Sequence, residues 1–190
     1  MAVVTHEPPG ASAFTWDDLQ LAPEDSLRRE LVAGQLLVTP APSNRHQAAV
    51  LSLARLLADA CPADLRVMLS PCAWRISATT VFEPDLMVVR GAELDLDAPF
   101  TGTPLLVVEV RSPSTAAADR TLKRDQYARH GAAAYWLVDP GGPAGGHVQS
   151  LTALRLADGI YEEEATVTGD EPYQAERPFP VTVVPAELVR

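Results

Sequence analysis

The chain has 190 residues, 47% hydrophobic and 21% charged, which suits one well-packed domain and is too short for two of ordinary size. No apolar run approaches the ~20 residues that span a bilayer, and the two cysteines, Cys61 and Cys72, form neither a C-x-x-C zinc pattern nor a disulfide framework. The formal charge of -10 argues against the broad basic face of many nucleic-acid binders, although a local patch of Arg111, Arg120, Lys123, Arg124 and Arg129 is compatible with an acidic remainder.

A single domain over residues 1–190 is expected. The N-terminus lacks a basic region followed by an apolar core, so no secretory signal is read, a cytoplasmic protein is expected, and both thiols should be buried and reduced. Thr15 ahead of Trp16, Asp17, Asp18 and Leu19 predicts an N-cap and a short helix with acids in its first turn. Arg29 to Val32 and Gln35 to Val38, broken at Ala33-Gly34, predict a β-hairpin. Ser43 or Asn44 then caps the longest helix, whose apolar positions include Ala48, Leu51, Leu53, Leu57 and Ala60 and which ends before Pro62. Strands follow at Leu65 to Leu69, Ala73 to Ile76, Leu86 to Val89 and Leu105 to Val110. A second helix is expected from about Ala116 to His130, stopping at Gly131, with the Ser-Pro-Ser-Thr segment at 112 to 115 as its cap. Ala133 to Val138 reads as a strand, as do His147 to Leu156 and Ile160 to Val167 around Asp158-Gly159, with Tyr135 and Trp136 in the core. Mixed strands and helices make the class α/β or α+β.

Two acids interrupt the most apolar strands: Asp85 precedes Leu86 to Val89, and Glu109 lies near the end of Leu105 to Val110. A buried carboxylate is costly unless it is paired or ligates a metal. If these strands pair as antiparallel neighbours, Asp85 falls opposite Glu109 with Cβ atoms roughly 5 Å apart, close enough to grip one divalent cation. Carboxylates with the Val110 carbonyl as a third donor suit magnesium or manganese (Mg2+ or Mn2+). The alternative is that both acids face solvent at strand ends.

Asp119, Lys123 and Tyr127 recur at four-residue intervals on one helical stripe, with His130 a step beyond. Returning across the sheet, this helix can bring the Lys123 ammonium to the metal, where it would stabilise the phosphoryl transition state or position water. The same spacing also describes a surface Asp119–Lys123 ion pair contributing about 0.3–0.5 kcal/mol. No G-x-S-x-G motif occurs, which argues against serine hydrolysis, and His6 and His147 have no evident partners.

Together, Arg-Glu-Leu-Val-Ala-Gly-Gln-Leu (29 to 36), Pro-Ser-Asn-Arg-His (42 to 46), Glu-Pro-Asp (83 to 85), Val-Glu-Val-Arg-Ser-Pro-Ser-Thr (108 to 115), Asp119, Lys123, Tyr127, Gly131 and Tyr-Trp-Leu-Val-Asp-Pro (135 to 140) are specific in order and spacing. Over nearly its whole length the chain resembles the Uma-two family of bacterial "putative restriction endonucleases", a branch of the superfamily named for its PD-(D/E)XK motif. The resemblance implies a restriction-endonuclease-like core, a mixed β-sheet flanked by helices with an N-terminal β-hairpin. It makes Asp85 and Glu109 the metal-binding acids and brings Glu30 and His46 into the same cleft. In the superfamily a lysine usually stands two positions after the second acid, where this chain has Arg111. In this branch the lysine moves to the following helix, which matches Lys123. Arg111 could share the role as a phosphate clamp, though its pKa is too high for a general base.

The reading is a metal-dependent endonuclease, a hydrolase of phosphodiester bonds in nucleic acid, with DNA as the first expectation. Asp85, Glu109, Lys123 and Arg111 are the catalytic candidates. Asp85, Glu109, Val110, Glu30 and His46 are the metal candidates, and Asp119 and Tyr127 are supporting residues. A non-catalytic module of the same fold, binding nucleic acid or a protein partner, is the alternative, and the acidic charge suits the protein-binding role. A homodimer rests only on the general frequency of two-fold association.

Overall fold

The structure is a computed structural model that describes residues 4–6, 13–23, 25, 27–112, 119–142 and 147–190. Its N-terminal part is a five-stranded sheet in the order β1-β3-β2-β6-β5, formed by β1 (Val4–His6), β2 (Arg28–Val32), β3 (Gln35–Thr39), β5 (Trp74–Arg75) and β6 (Val81–Phe82). The expected hairpin is β2 and β3, paired from Arg28↔Thr39 to Val32↔Gln35. Ala33 and Gly34 both have positive φ, 49° and 83°, as a two-residue turn that follows strand twist requires. The short helix α1 (Trp16–Gln20) carries the expected Thr15 cap, closed by the reciprocal bond from the Thr15 N–H to Asp18 Oδ2 at 2.8 Å.

The central sheet has six strands in the order β11-β10-β9-β8-β7-β4, from β4 (Leu65–Leu69), β7 (Leu86–Arg90), β8 (Leu106–Val110), β9 (Ala134–Asp139), β10 (Ser150–Ala157) and β11 (Ile160–Thr168). Only β8 and β9 pair in parallel, so the sheet is mixed. Strands β7 and β8 are buried on both faces, which explains their nearly unbroken apolar runs. Leu86, Val88, Leu106, Val108 and Trp136 point to one face, against Leu53 and Leu57 of α2 (Asn44–Ala60). Each fully buried leucine contributes about 1.5–3 kcal/mol. Met87, Val89, Val107 and Tyr135 point to the other face, towards Val32, Leu37 and Phe82 of the five-stranded sheet. Asp85 and Glu109 continue the second series by period-two alternation.

Ser43 caps α2, its Oγ accepting from the His46 N–H at 3.2 Å. The second helix differs from the expected uniform α-helix: a wide π-type turn spans Asp119–Lys123, and α3 (Arg124–Arg129) follows, ending at Gly131 with φ 79°. Ser114, Thr115 and the start expected near Ala116 lie outside the described residues, as do the side chains of Asp119 and Arg120. The last expected pair of strands begins at Ser150 rather than His147. A small hairpin of β12 (Tyr173–Ala175) and β13 (Val181–Val183) was not anticipated, and Val183 joins the α2 side of the core. Cys61 and Cys72 are free thiols and part exposed, where burial was expected. Among the described residues no helix is long and apolar enough to cross a membrane.

Candidate active site

The pairing Leu86↔Val108 and Met87↔Val107, continued by one step, sets Asp85 opposite Glu109, as the strand arithmetic requires. Both are almost fully buried, at 2% and 1% exposure. Each oxygen of Asp85 has partners. Oδ1 accepts from Arg28 Nη1 at 2.7 Å, and Oδ2 accepts from the Val110 N–H at 2.7 Å and lies 3.1 Å from His46 Nε2. Burial pushes the Asp85 carboxyl up, but the His46 hydrogen bond, the Arg28 charge and the Val110 N–H together hold it below its ordinary value.

Glu109 Oε1 accepts from Lys123 Nζ at 2.9 Å and from the Tyr127 hydroxyl at 2.6 Å. Lys123 Nζ also lies 2.9 Å from Glu30 Oε2, while Glu30 Oε1 accepts from the Glu83 N–H at 2.9 Å. Burial, with Glu109 and Glu30 nearby, drives the Tyr127 phenol well above its usual range, so it acts as a neutral donor. Its ring is held edge-on against Phe82 and Tyr135, with centroids 5.1 and 5.2 Å away. The site thus joins both sheets: β2 supplies Glu30, β8 supplies Glu109, and the helical segment supplies Lys123 and Tyr127.

Arg28 ties the two halves together. Beyond Asp85, its Nη1 donates to the Glu83 carbonyl at 3.0 Å, and its Nη2 lies 3.9 Å from Glu109 Oε2. Burial opposes its charge, but Glu30, Asp85 and Glu109 more than compensate and raise its pKa further. Arg28, His46, Glu83, Asp85, Ser43 and Ser112 line a cleft of about 470 Å³. Glu30, Glu109 and Lys123 are not part of its wall.

Sequence reasoning missed Arg28, although a signal was present. Strand alternation puts Arg28 on the same face as Glu30 and turns Arg29 the other way, where it pairs with Asp25 at 2.7 Å. Of the two candidate cations, Lys123 meets the acids and Arg111 does not: Arg111 Nη1 bonds Asp139 Oδ2 at 2.6 Å. Asp139 Oδ1 accepts from the Gly141 N–H and lies 2.9 Å from His147 Nε2, so His147 has a partner that the sequence did not reveal. Of the five residues read as a basic patch, the Arg120 side chain lies outside the described residues, and two others turn away from a shared surface. Lys123 is 1% exposed, and Arg124 donates to the Tyr161 carbonyl at 2.7 Å.

A restriction-endonuclease-like site implies a divalent metal. Asp85, Glu109 and the Val110 carbonyl offer hard oxygen donors, and magnesium commonly takes one or two carboxylates and fills the rest of its shell with water and phosphate oxygens. That donor set fits. The wider set of ligands does not come together: Glu30 is committed to Lys123 and His46 to Asp85, and among the described residues no group of three or more His, Cys, Asp or Glu side chains could hold a metal ion.

No curated protein matches the chain. Among solved structures it is similar to "a putative nuclease belonging to DUF820" from Anabaena variabilis ATCC 29413, with TM-score 0.65 and 20% identity over 86% of this chain and 89% of that one, a likeness that shows the fold. Residues 16–187 match the family described as "Uma2: Putative restriction endonuclease". With the match running from α1 almost to the C-terminus, the chain belongs to the Uma2 family.

Proposed function

We propose that the chain is a divalent-metal-dependent endonuclease that hydrolyses phosphodiester bonds in nucleic acid, with DNA as the leading substrate, and that residues 1–190 act as one domain. The opposition of Asp85 and Glu109 across β7 and β8, beside an open cleft, supports this reading most strongly. A divalent cation held by Asp85, Glu109 and the Val110 carbonyl would supply an activated water and neutralise charge on the phosphate.

The remaining work falls to the chain's own residues. Asp85 stays ionised through Arg28, His46 and the Val110 N–H. Lys123 and Tyr127 fix one oxygen of Glu109 so that its carboxylate cannot rotate away, and Glu30 in turn holds Lys123. Labelled DNA and RNA, single and double stranded, incubated with manganese, magnesium or EDTA, test the reading. Metal-dependent cleavage of at least one substrate is expected, and intact substrates throughout would overturn it.

The net charge of -10 suits a second reading, a nuclease-fold module that binds a protein partner and does not cleave. Thermal melting with manganese separates the two, because a metal site in the folded state raises Tm and an idle scaffold does not respond.

A further inference from the structure

A nuclease must hold the phosphodiester as well as activate water, and a guanidinium facing the substrate is well suited to phosphate oxygens. Among the described residues lining the cleft, Arg28 is the one arginine or lysine. Lys123 is shut between Glu30 and Glu109 at 1% exposure, and Arg111 is bound to Asp139. We propose that Arg28 is the phosphate-binding residue of the site, donating to a non-bridging oxygen of the scissile phosphodiester, and that Lys123 is a positioning residue that does not touch substrate. The proposal rests on the nuclease reading above.

Three observations support it. The Arg28 side chain is 17% exposed, and among the described residues its two side-chain hydrogen bonds leave from Nη1, while Nη2 makes the 3.9 Å approach to Glu109. Its charge neutralises Asp85 in this structure, and a divalent cation bound at Asp85 would leave that charge available to the cleft. The first turn of the 17-residue α2 contributes His46 to the same cleft, and the helix dipole there favours an anion. Among the described residues, His46 Nδ1 is buried without a hydrogen-bond partner.

The test is binding of a short fluorescein-labelled DNA duplex, and of RNA of the same sequence, followed by anisotropy in calcium, with KM and kcat measured in manganese. Arg28→Met should weaken binding and raise KM by about tenfold or more, as for loss of a hydrogen bond to a charged group. Manganese affinity measured by calorimetry should be kept or tightened. Lys123→Met should lower kcat and leave oligonucleotide affinity within about twofold. Should Arg28→Met fold poorly by circular dichroism, Arg28→Lys, which keeps the charge and loses the fork, should give intermediate affinity. Wild-type affinity and KM in the Arg28 variants, with wild-type protein still cleaving, would overturn this inference alone. A wild-type protein that neither binds nor cleaves nucleic acid would overturn the nuclease reading and this inference with it.

Discussion

Lys123 Nζ stands 2.9 Å from Glu30 Oε2 and 2.9 Å from Glu109 Oε1, with all three side chains at or below 2% exposure. Removing the ammonium leaves two buried carboxylates facing each other, and breaking such a buried pair costs about 3–5 kcal/mol. Lys123→Met should therefore lose about that much stability in urea denaturation. Adding Glu30→Gln to it should restore part of the loss, whereas strictly additive losses would mean that the two residues are not coupled.

Tyr127→Phe isolates the hydroxyl bond to Glu109, because the ring keeps its edge-on contacts with Phe82 and Tyr135. The loss should be about 1.5–3 kcal/mol, the range for a hydrogen bond to a charged acceptor. Far-UV circular dichroism should be unchanged, and kcat should fall as the Glu109 carboxylate loosens.

Glu83 lines the cleft, and burial, reinforced by Glu30, raises its carboxyl above the ordinary value of 4.5, with Arg28 and Lys123 opposing the shift. An acid raised in this way binds its proton more tightly folded than unfolded. Its contribution is fully present below 4.5 and is lost as pH rises through the folded value. Glu83→Gln should accordingly melt higher than wild type at pH 7, and the advantage should vanish as pH falls below 4.5. An advantage independent of pH would show that ionisation of Glu83 is not its source.

Arg111 and Lys123 make opposite predictions for catalysis. Arg111 is committed to Asp139 beside His147, so Arg111→Ala should slow cleavage by less than about tenfold, ~1.4 kcal/mol in the barrier. Lys123→Met should slow it far more, because Glu109 loses its orientation. Comparable losses in kcat would bring Arg111 back as the catalytic cation.

Much of the architecture could be read from the sequence because local rules and global packing agree. Ala33-Gly34 sets the hairpin turn, Ser43 and Pro62 bracket α2, and period-two alternation brings Asp85 and Glu109 face to face. Short elements escaped because they carry little periodic signal: β6 spans two residues, β12 and β13 three each. The site was only half visible for a different reason. Lys123 and Tyr127 show a helical spacing that an exposed stripe would share, and only the fold reveals that both end on Glu109. Arg28 is 57 residues from Asp85 in the chain, and its partner becomes apparent only once the two sheets are docked.

The paired carboxylates are tested most directly by cleavage of the labelled DNA and RNA panel in manganese, comparing wild type with Asp85→Ala and Glu109→Ala, each first shown to be folded by circular dichroism. Each substitution should abolish cleavage and remove the manganese-dependent rise in Tm. Cleavage that survives either substitution in a folded protein would contradict the assignment of these two residues as the metal-binding acids.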